Sequence, residues 1–60
     1  MEPTYTLWNN ATLVDEGMTE DEFIQDLLDL NVDFSWDSES ERYILFNNNY
    51  WYELNSVGIL

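Results

Sequence analysis

Carboxylates are the chemically functional side chains that this sequence supplies in quantity. Its 60 residues include 13 Asp and Glu and one basic residue, Arg42, which gives a formal net charge of −12. Carboxylates bind divalent cations, act in acid–base pairs or imitate the phosphates of a nucleic acid. The sequence contains no lysine, histidine or cysteine. These absences exclude Cys/His zinc sites, Cys–His and Ser–His nucleophile pairs, lysine Schiff bases and disulfides.

Four of the carboxylates recur at the spacing of one helix face. They are separated by 4, 3 and 4 residues and comprise Glu22, Asp26, Asp29 and Asp33. Each like-charged pair of neighbours at this spacing costs about 0.2–0.5 kcal/mol. We interpret the row as a surface for a cationic partner, because a helix that needed only solubility would carry lysine at one of these positions. A solvated acidic face without a partner is the alternative.

A second acidic group lies on a predicted strand and on the turn that follows it. Together with the helix row, this group can form one negative surface whose carboxylates lie roughly 5–7 Å apart. Carboxylates at this spacing could occupy the sites where a DNA-binding protein expects phosphate oxygens. The predicted partner-binding residues of both groups are Glu22, Asp26, Asp29, Asp33, Asp37, Glu39 and Glu41.

Metal binding is the main chemical alternative for these carboxylates. Asp33, Ser35 and Asp37 alternate in the manner of a calcium-binding EF-hand loop. However, position 6 of such a loop, which requires glycine, is Ser38, and position 12, which supplies a bidentate glutamate, is Ile44. We therefore expect no metal site and no cofactor.

Neither catalysis nor direct nucleic-acid binding fits the remaining residues. A carboxylate pair that cleaves sugars needs a substrate cleft, which so short a chain can hardly enclose. The sequence has no glycine-rich phosphate loop and no histidine to act as a base near neutral pH. The aromatic segment 50–52 lacks the basic groove that a nucleic-acid backbone requires. We predict that the protein is not an enzyme and does not bind nucleic acid directly.

Apolar residues are frequent enough to fold the chain despite its charge. Hydrophobic residues make up 45% of the sequence and aromatic residues 17%, whereas acidic chains that stay disordered are poor in both. The length allows a single domain, residues 1–60, with a small core of marginal stability. A bound partner or a second copy would add to that stability.

Residue patterns predict an α+β domain: a small antiparallel β-sheet, in the order β-α-β-β-β, with one amphipathic helix packed across it. Thr19 and Glu22 fit a capping box, and apolar residues at helical spacing follow them. We therefore predict a helix at about 20–30 that ends at Asn31.

Alternating apolar and β-branched residues predict the strands. They span residues 5–14, 32–37, 43–46 and 50–54, and the last two form a hairpin. Residues 15–18 are expected to form a loop. Asn9-Asn10 is either a hairpin turn or the middle of one long strand, and we favour the continuous strand.

The segment Tyr50-Trp51-Tyr52 predicts an exposed aromatic surface. In a strand, Trp51 projects to the opposite face from its two neighbours, and a two-layer domain buries only one of these faces. We expect the other face to contact a partner or a second copy, which favours a homodimer.

In charge, size and lack of lysine, the whole chain resembles the small acidic inhibitors made by bacteriophages, several of which mimic DNA. They include anti-CRISPR proteins, anti-restriction proteins and inhibitors of uracil-DNA glycosylase. The segment from Glu39 to Leu45 is similar to the glycosylase inhibitors in leading from an acidic-Ser stretch into an apolar strand, although Arg42 and Tyr43 interrupt that pattern. The resemblance implies a basic nucleic-acid-binding host protein as the partner, with a role in CRISPR immunity, restriction, DNA repair or transcription.

The expected compartment is the cytoplasm, that of the host cell for a phage-encoded protein. Residues 1–4 have neither the basic region nor the apolar segment of a secretory signal, and no apolar run is long enough to span a bilayer. Anionic lipid surfaces would repel the net charge, so we expect no membrane partner.

A function of a different class uses the same residues differently. In this alternative the chain is a non-enzymatic interaction or assembly module that binds through a sheet edge and exposed aromatics, with acidity serving only solubility. Salt distinguishes the two functions, because charge mimicry weakens as salt rises and an apolar interface does not.

Overall fold

Five antiparallel strands and one helix form the part of the chain that the computed structural model describes, residues 3–55. In chain order the elements are β1 (Thr4–Asn9), β2 (Thr12–Met18), α1 (Glu20–Asp29), β3 (Phe34–Asp37), β4 (Arg42–Leu45) and β5 (Tyr50–Asn55). This arrangement confirms the predicted α+β class, the antiparallel pairing and the position of the helix. The strands form two sheets, one with the order β2-β1-β5 and one in which β3 pairs with β4.

The N-terminal segment is a hairpin, so the continuous strand favoured from the sequence is wrong. β1 and β2 pair from Asn9 opposite Thr12, and the turn lies at Asn10-Ala11, one residue later than the Asn9-Asn10 alternative. Asn10 has a φ of 54°, a left-handed conformation that asparagine tolerates better than other residues with a β-carbon. Its N–H donates a 2.7 Å hydrogen bond to the Asn49 carbonyl oxygen, which holds the turn against the start of β5.

Residues 15–18, predicted as a loop, belong to β2. Two register shifts interrupt the pairing of this strand with β1, one between the partners of Tyr5 and Leu7 and one between those of Leu7 and Trp8. Gly17 has a φ of 67° and lies in the first of these irregular stretches. A bulged edge strand of this kind has no regular alternation, which is why the sequence pattern indicated a loop.

The last two strands do not form the predicted hairpin. β4 pairs with β3, whereas β5 crosses to β1 and pairs along its whole length, from Tyr50 opposite Asn9 to Asn55 opposite Thr4. Six residue pairs join β5 to β1, which is more than the four residues of β4 could provide. Alternation predicts that a segment is a strand, but it does not identify the neighbour with which it pairs.

Local sequence signals define both ends of α1. The Thr19 hydroxyl oxygen accepts a hydrogen bond from the Glu22 N–H at 3.2 Å, and the Glu22 carboxylate accepts one from the Thr19 N–H at 2.9 Å, which confirms the capping box. Asn31 has a φ of 59° and reverses the chain as predicted. Within residues 3–55, no helix is long and apolar enough to cross a membrane.

The core lies between α1 and the inner face of the three-stranded sheet. Its buried apolar residues are Tyr5, Leu7, Met18, Phe23, Leu27, Val32 and Tyr43. The rings of Tyr5 and Phe23 stack with their centroids 4.6 Å apart, and the Tyr52 ring packs against both. The Tyr52 hydroxyl oxygen accepts a 2.9 Å hydrogen bond from the Tyr43 N–H, which connects the two sheets.

Some of the apolar residues that follow the capping box at helical spacing are exposed. Leu28 and Leu30 are 56% and 40% exposed, because this small domain covers only the narrow line of α1 that contains Phe23 and Leu27. β3 begins at Phe34, later than the predicted residue 32, and Trp36 near its far end is 51% exposed.

Candidate functional site

A group of carboxylates lies where α1 contacts β2. Asp26 is the least exposed of the four, and it interacts with Glu22 and Asp29 on its own helix and with Asp15 on β2. We call Asp15, Glu22, Asp26 and Asp29 the acidic seam. The pKa of the Asp26 carboxyl lies above its ordinary value. Burial is the largest cause, and a side-chain hydrogen bond with Asp15 and the negative charges of the three neighbours raise the pKa further.

Asp15 is a member of the seam that the sequence analysis missed. It lies opposite the buried Leu7 in the β1–β2 ladder, and cross-strand partners project to the same face of a sheet. Its carboxylate therefore lies on the helix side of the sheet, where it forms a side-chain hydrogen bond with Asp26 at the exposed margin of the core. The strand register was the signal that could have placed it, but the segment had been predicted as a loop.

The helix row is shorter than its spacing predicted. Glu22 and Asp29 flank Asp26 as expected, and the Gln25 side-chain amide donates a 3.0 Å hydrogen bond to the Asp29 carboxylate. Asp33, in contrast, lies beyond the reversal at Asn31, so it does not continue the helix face. Its backbone carbonyl oxygen accepts the Phe46 N–H at 2.9 Å, which starts the β3–β4 ladder.

Glu22 serves two purposes in this arrangement. One of its carboxylate oxygens accepts the Thr19 N–H in the capping box, so part of its charge stabilises the start of the helix. The same carboxylate contributes to the negative potential at Asp26. Its presence therefore has a structural explanation, and Asp29 has the Gln25 amide as a partner, whereas the dipole at the C-terminal half of the helix disfavours the charges of both Asp26 and Asp29.

The second predicted group is organised as a turn. Asp37 accepts hydrogen bonds from the Ser40 hydroxyl at 2.6 Å and from the Glu39 N–H at 3.2 Å. The Ser40 hydrogen bond, then the Glu39 N–H and a minor effect of Arg42, lower the pKa of the Asp37 carboxyl. Glu41 closes the same turn with a φ of 55°. Asp37 thus has local partners that stabilise its charge, unlike Asp26.

The two groups therefore differ in their electrostatics. In the acidic seam, carboxylates from α1 and β2 repel one another, whereas Asp37 accepts hydrogen bonds from residues of its own turn. Among residues 3–55, no set of three or more Asp, Glu, His or Cys side chains is arranged to hold a metal ion. The arrangement presents charge and does not form a ligand cage.

The one basic side chain of the sequence, Arg42, packs over Tyr52, and it is not among the charges that act on Asp26. The Arg42 guanidinium carbon lies 5.5 Å from the centroid of the Tyr52 ring, and Arg42 pairs opposite Asp37 in the β3–β4 ladder. Arg42 also lines an open cleft of about 310 Å³ between β4 and β5, together with the residues Tyr43, Tyr50 and Trp51.

Tyr43 connects β4 to the first turn of the helix. Its hydroxyl donates a hydrogen bond to the Glu20 carboxylate, and this bond, with burial, raises the pKa of Tyr43 to about 12. The contact gives Glu20 a structural role as the partner of Tyr43.

Comparisons with models of known protein families, with curated proteins and with solved structures found no match to this chain. A functional assignment must therefore come from the chemistry of its own residues. The unusual feature to explain is a folded core that carries mutually repelling carboxylates on a chain without lysine or histidine.

Proposed function

We propose that this protein is a non-enzymatic inhibitor of a basic nucleic-acid-binding protein and that it acts by imitating the negative charge of DNA. The observation that carries the proposal is the acidic seam, in which Asp15, Glu22 and Asp29 surround a partly buried Asp26. A phage origin and a target in CRISPR immunity, restriction, DNA repair or transcription are parts of this proposal, as is action in the host cytoplasm.

Self-repulsion in the free protein supports a cationic partner. Like-charged neighbours on a helix destabilise it, and the dipole at the C-terminal half adds to the cost for Asp26 and Asp29. Against the lysines and arginines of a nucleic-acid channel, the same carboxylates exchange repulsion for attraction. A net charge of −12 also steers the protein toward such a channel and accelerates association at low salt.

The remaining predicted residues belong to the proposal as a second contact. Asp33, Asp37, Glu39 and Glu41 lie on and near the β3–β4 turn, and the last two are exposed. Because hydrogen bonds hold Asp37 in its charged form, the turn can present negative charge at neutral pH without reorganisation.

Capture from a bacterial lysate at low salt tests the proposal. Proteins retained on the immobilised chain are eluted at high salt and identified by mass spectrometry. We expect a nuclease, glycosylase, polymerase or nucleoid protein, and we expect duplex DNA to displace it because both ligands occupy one site.

Two double variants with the same change in net charge sharpen this test. Asp26→Asn/Asp29→Asn should weaken capture strongly, whereas Glu16→Gln/Asp21→Asn, at exposed positions outside the seam, should retain most of it. Equal capture by the two variants, or capture that duplex DNA does not reduce, would contradict the proposal. Glu39→Gln/Glu41→Gln then measures the contribution of the turn.

A second candidate function is an interaction or assembly module, and a homodimer is its simplest form. The observation that favours it is the presence of exposed apolar residues on both faces of β5, an edge strand of the three-stranded sheet, where Trp51 and Leu54 are 44% and 53% exposed. In this case binding would persist or strengthen as salt rises, whereas charge mimicry predicts a steep loss.

A further inference from the structure

We propose that the outer face of the three-stranded sheet binds arginine side chains of a basic protein partner, by stacking them on Trp51 and pairing them with Glu53. We call this surface the tryptophan face; its residues are Leu13, Trp8, Trp51 and Glu53. The inference goes beyond the proposed function, because this surface lies on the opposite side of the sheet from α1 and from the acidic seam.

The strand register places these residues side by side. Leu13 on β2 lies opposite Trp8 on β1, and Trp8 lies opposite Trp51 on β5, so one apolar row crosses all three strands. Their neighbours Leu7 and Tyr52 pack into the core against α1, and side chains alternate along a strand. The row therefore projects away from the helix.

The two indole rings stack on one another in nearly parallel planes. Their ring centroids are 5.3 Å apart, and their planes differ by 6°. Trp51 is 44% exposed at the open edge of the sheet, so one of its surfaces is available to a ligand. A cation within about 6 Å of an indole centroid is attracted by the negative potential of the ring face.

Hydrogen bonds within the chain determine which groups of this stacked pair are available to a ligand. The Trp8 Nε1–H donates to Glu53 Oε1 at 3.0 Å, and the Trp51 Nε1–H donates to the Asn10 carbonyl oxygen at 2.8 Å. Both indole donors are thus used internally, which leaves ring surface and the other Glu53 oxygen for a ligand. An electron-rich plane beside a carboxylate that is held in place is suited to a planar cation that also donates hydrogen bonds.

Arginine meets these requirements better than other candidates. Its guanidinium is planar, stacks on aromatic rings and donates to carboxylates in the same plane, whereas the lysine ammonium is a compact, strongly hydrated charge. The net charge of −12 opposes nucleic acids, anionic membranes and a second copy of this chain as occupants. Charge complementarity therefore favours an arginine-rich segment of a basic protein.

The test uses oligo-arginine and oligo-lysine peptides of equal length, titrated against the intact protein. We expect the Trp51 indole N–H resonance to shift with oligo-arginine before that of Trp36, which is 51% exposed on the other sheet. Trp51→Leu, which keeps apolar cover, should weaken oligo-arginine binding by about 2- to 30-fold, the range of a cation–π contact, and should affect oligo-lysine less.

Trp36→Leu is the matched control and should leave the ratio of the two affinities unchanged. An equal ratio in wild type and Trp51→Leu, or a shift at Trp36 without one at Trp51, would overturn the proposal. So would a wild-type dimer in sedimentation that Trp51→Leu converts to a monomer. The resonance measurement needs no variant, so it decides the question even where Trp51→Leu folds poorly.

The acidic seam is separable from this surface in the same titration. Asp26→Asn/Asp29→Asn lowers a general electrostatic attraction and should weaken both peptides by a similar factor. Loss of the arginine preference therefore tests the tryptophan face, while the capture experiment with duplex DNA tests the charge mimicry.

Discussion

Asp26→Asn removes one charge from the acidic seam with almost no change in side-chain shape. Asp26 faces Glu22 one turn before it and Asp29 one turn after it, and each such pair costs about 0.2–0.5 kcal/mol. Removing both repulsions should raise the free energy of unfolding at neutral pH by about 0.4–1 kcal/mol. The new amide can also donate to Asp15, which the ionised carboxylate cannot. For a domain of this size the Tm should rise by about 2–8 °C.

The pH dependence of this gain follows from the raised pKa of Asp26. The folded protein binds the proton of the Asp26 carboxyl more tightly than the unfolded chain does. The stability that this proton contributes is therefore complete below the unfolded pKa and is lost as pH rises through the folded pKa. Wild type is therefore destabilised by Asp26 at neutral pH but not below about pH 4. The advantage of Asp26→Asn should shrink on acidification and at high salt.

Urea unfolding followed by tryptophan fluorescence measures both effects, at neutral pH and near pH 4. Asp21→Asn is the matched control, because it removes the same charge from the first turn, where the helix dipole favours anions. That variant should lose about 0.3–1 kcal/mol. A loss of stability in Asp26→Asn, or a gain that does not depend on pH, would refute the reasoning about the seam.

Three further predictions concern residues that hold the fold. Tyr43→Phe, which removes the hydrogen bond to Glu20, should cost about 1–2 kcal/mol in urea unfolding, and the phenol that titrates near pH 12 should disappear from an ultraviolet pH titration. Thr19→Ala should cost about 0.5–2 kcal/mol by removing the helix cap, and less helical circular dichroism at intermediate urea should accompany it. The hydrogen bond from Ser40 lowers the pKa of Asp37, so the ionised Asp37 stabilises the fold above the unfolded pKa. This stabilisation is lost as pH falls through the folded pKa. Asp37→Asn should therefore be less stable than wild type in urea unfolding at neutral pH and equal to it in strong acid.

The features predicted correctly from sequence depend on residues close together in the chain. The capping box needs only Thr19 and Glu22, and the stop needs only Asn31, so the helix was placed with little error. The α+β class and the strand segments follow from local alternation in the same way. Strand pairing does not, because the choice of β1 as the partner of β5 depends on residues more than 40 positions away.

The candidate site was predicted in part for the same reason. Glu22, Asp26 and Asp29 were found because one helix turn brings them together. Asp15 was missed because only the bulged register of β2 directs it toward the helix, and Asp33 was placed on the helix face because the spacing continued past the end at Asn31. Asp37 was assigned to a partner surface, whereas the structure also gives it a local role in its turn.

The hydrogen bond between the Tyr43 N–H and the Tyr52 hydroxyl has a consequence for self-assembly into fibrils. In the described part of the chain, β4 pairs only with β3, so its other edge would be open to a strand from another molecule. The phenol oxygen already occupies a backbone donor that an incoming strand would need. The Tyr52 side chain thus competes with an incoming strand for one donor of this edge, which opposes the ordered stacking that produces amyloid.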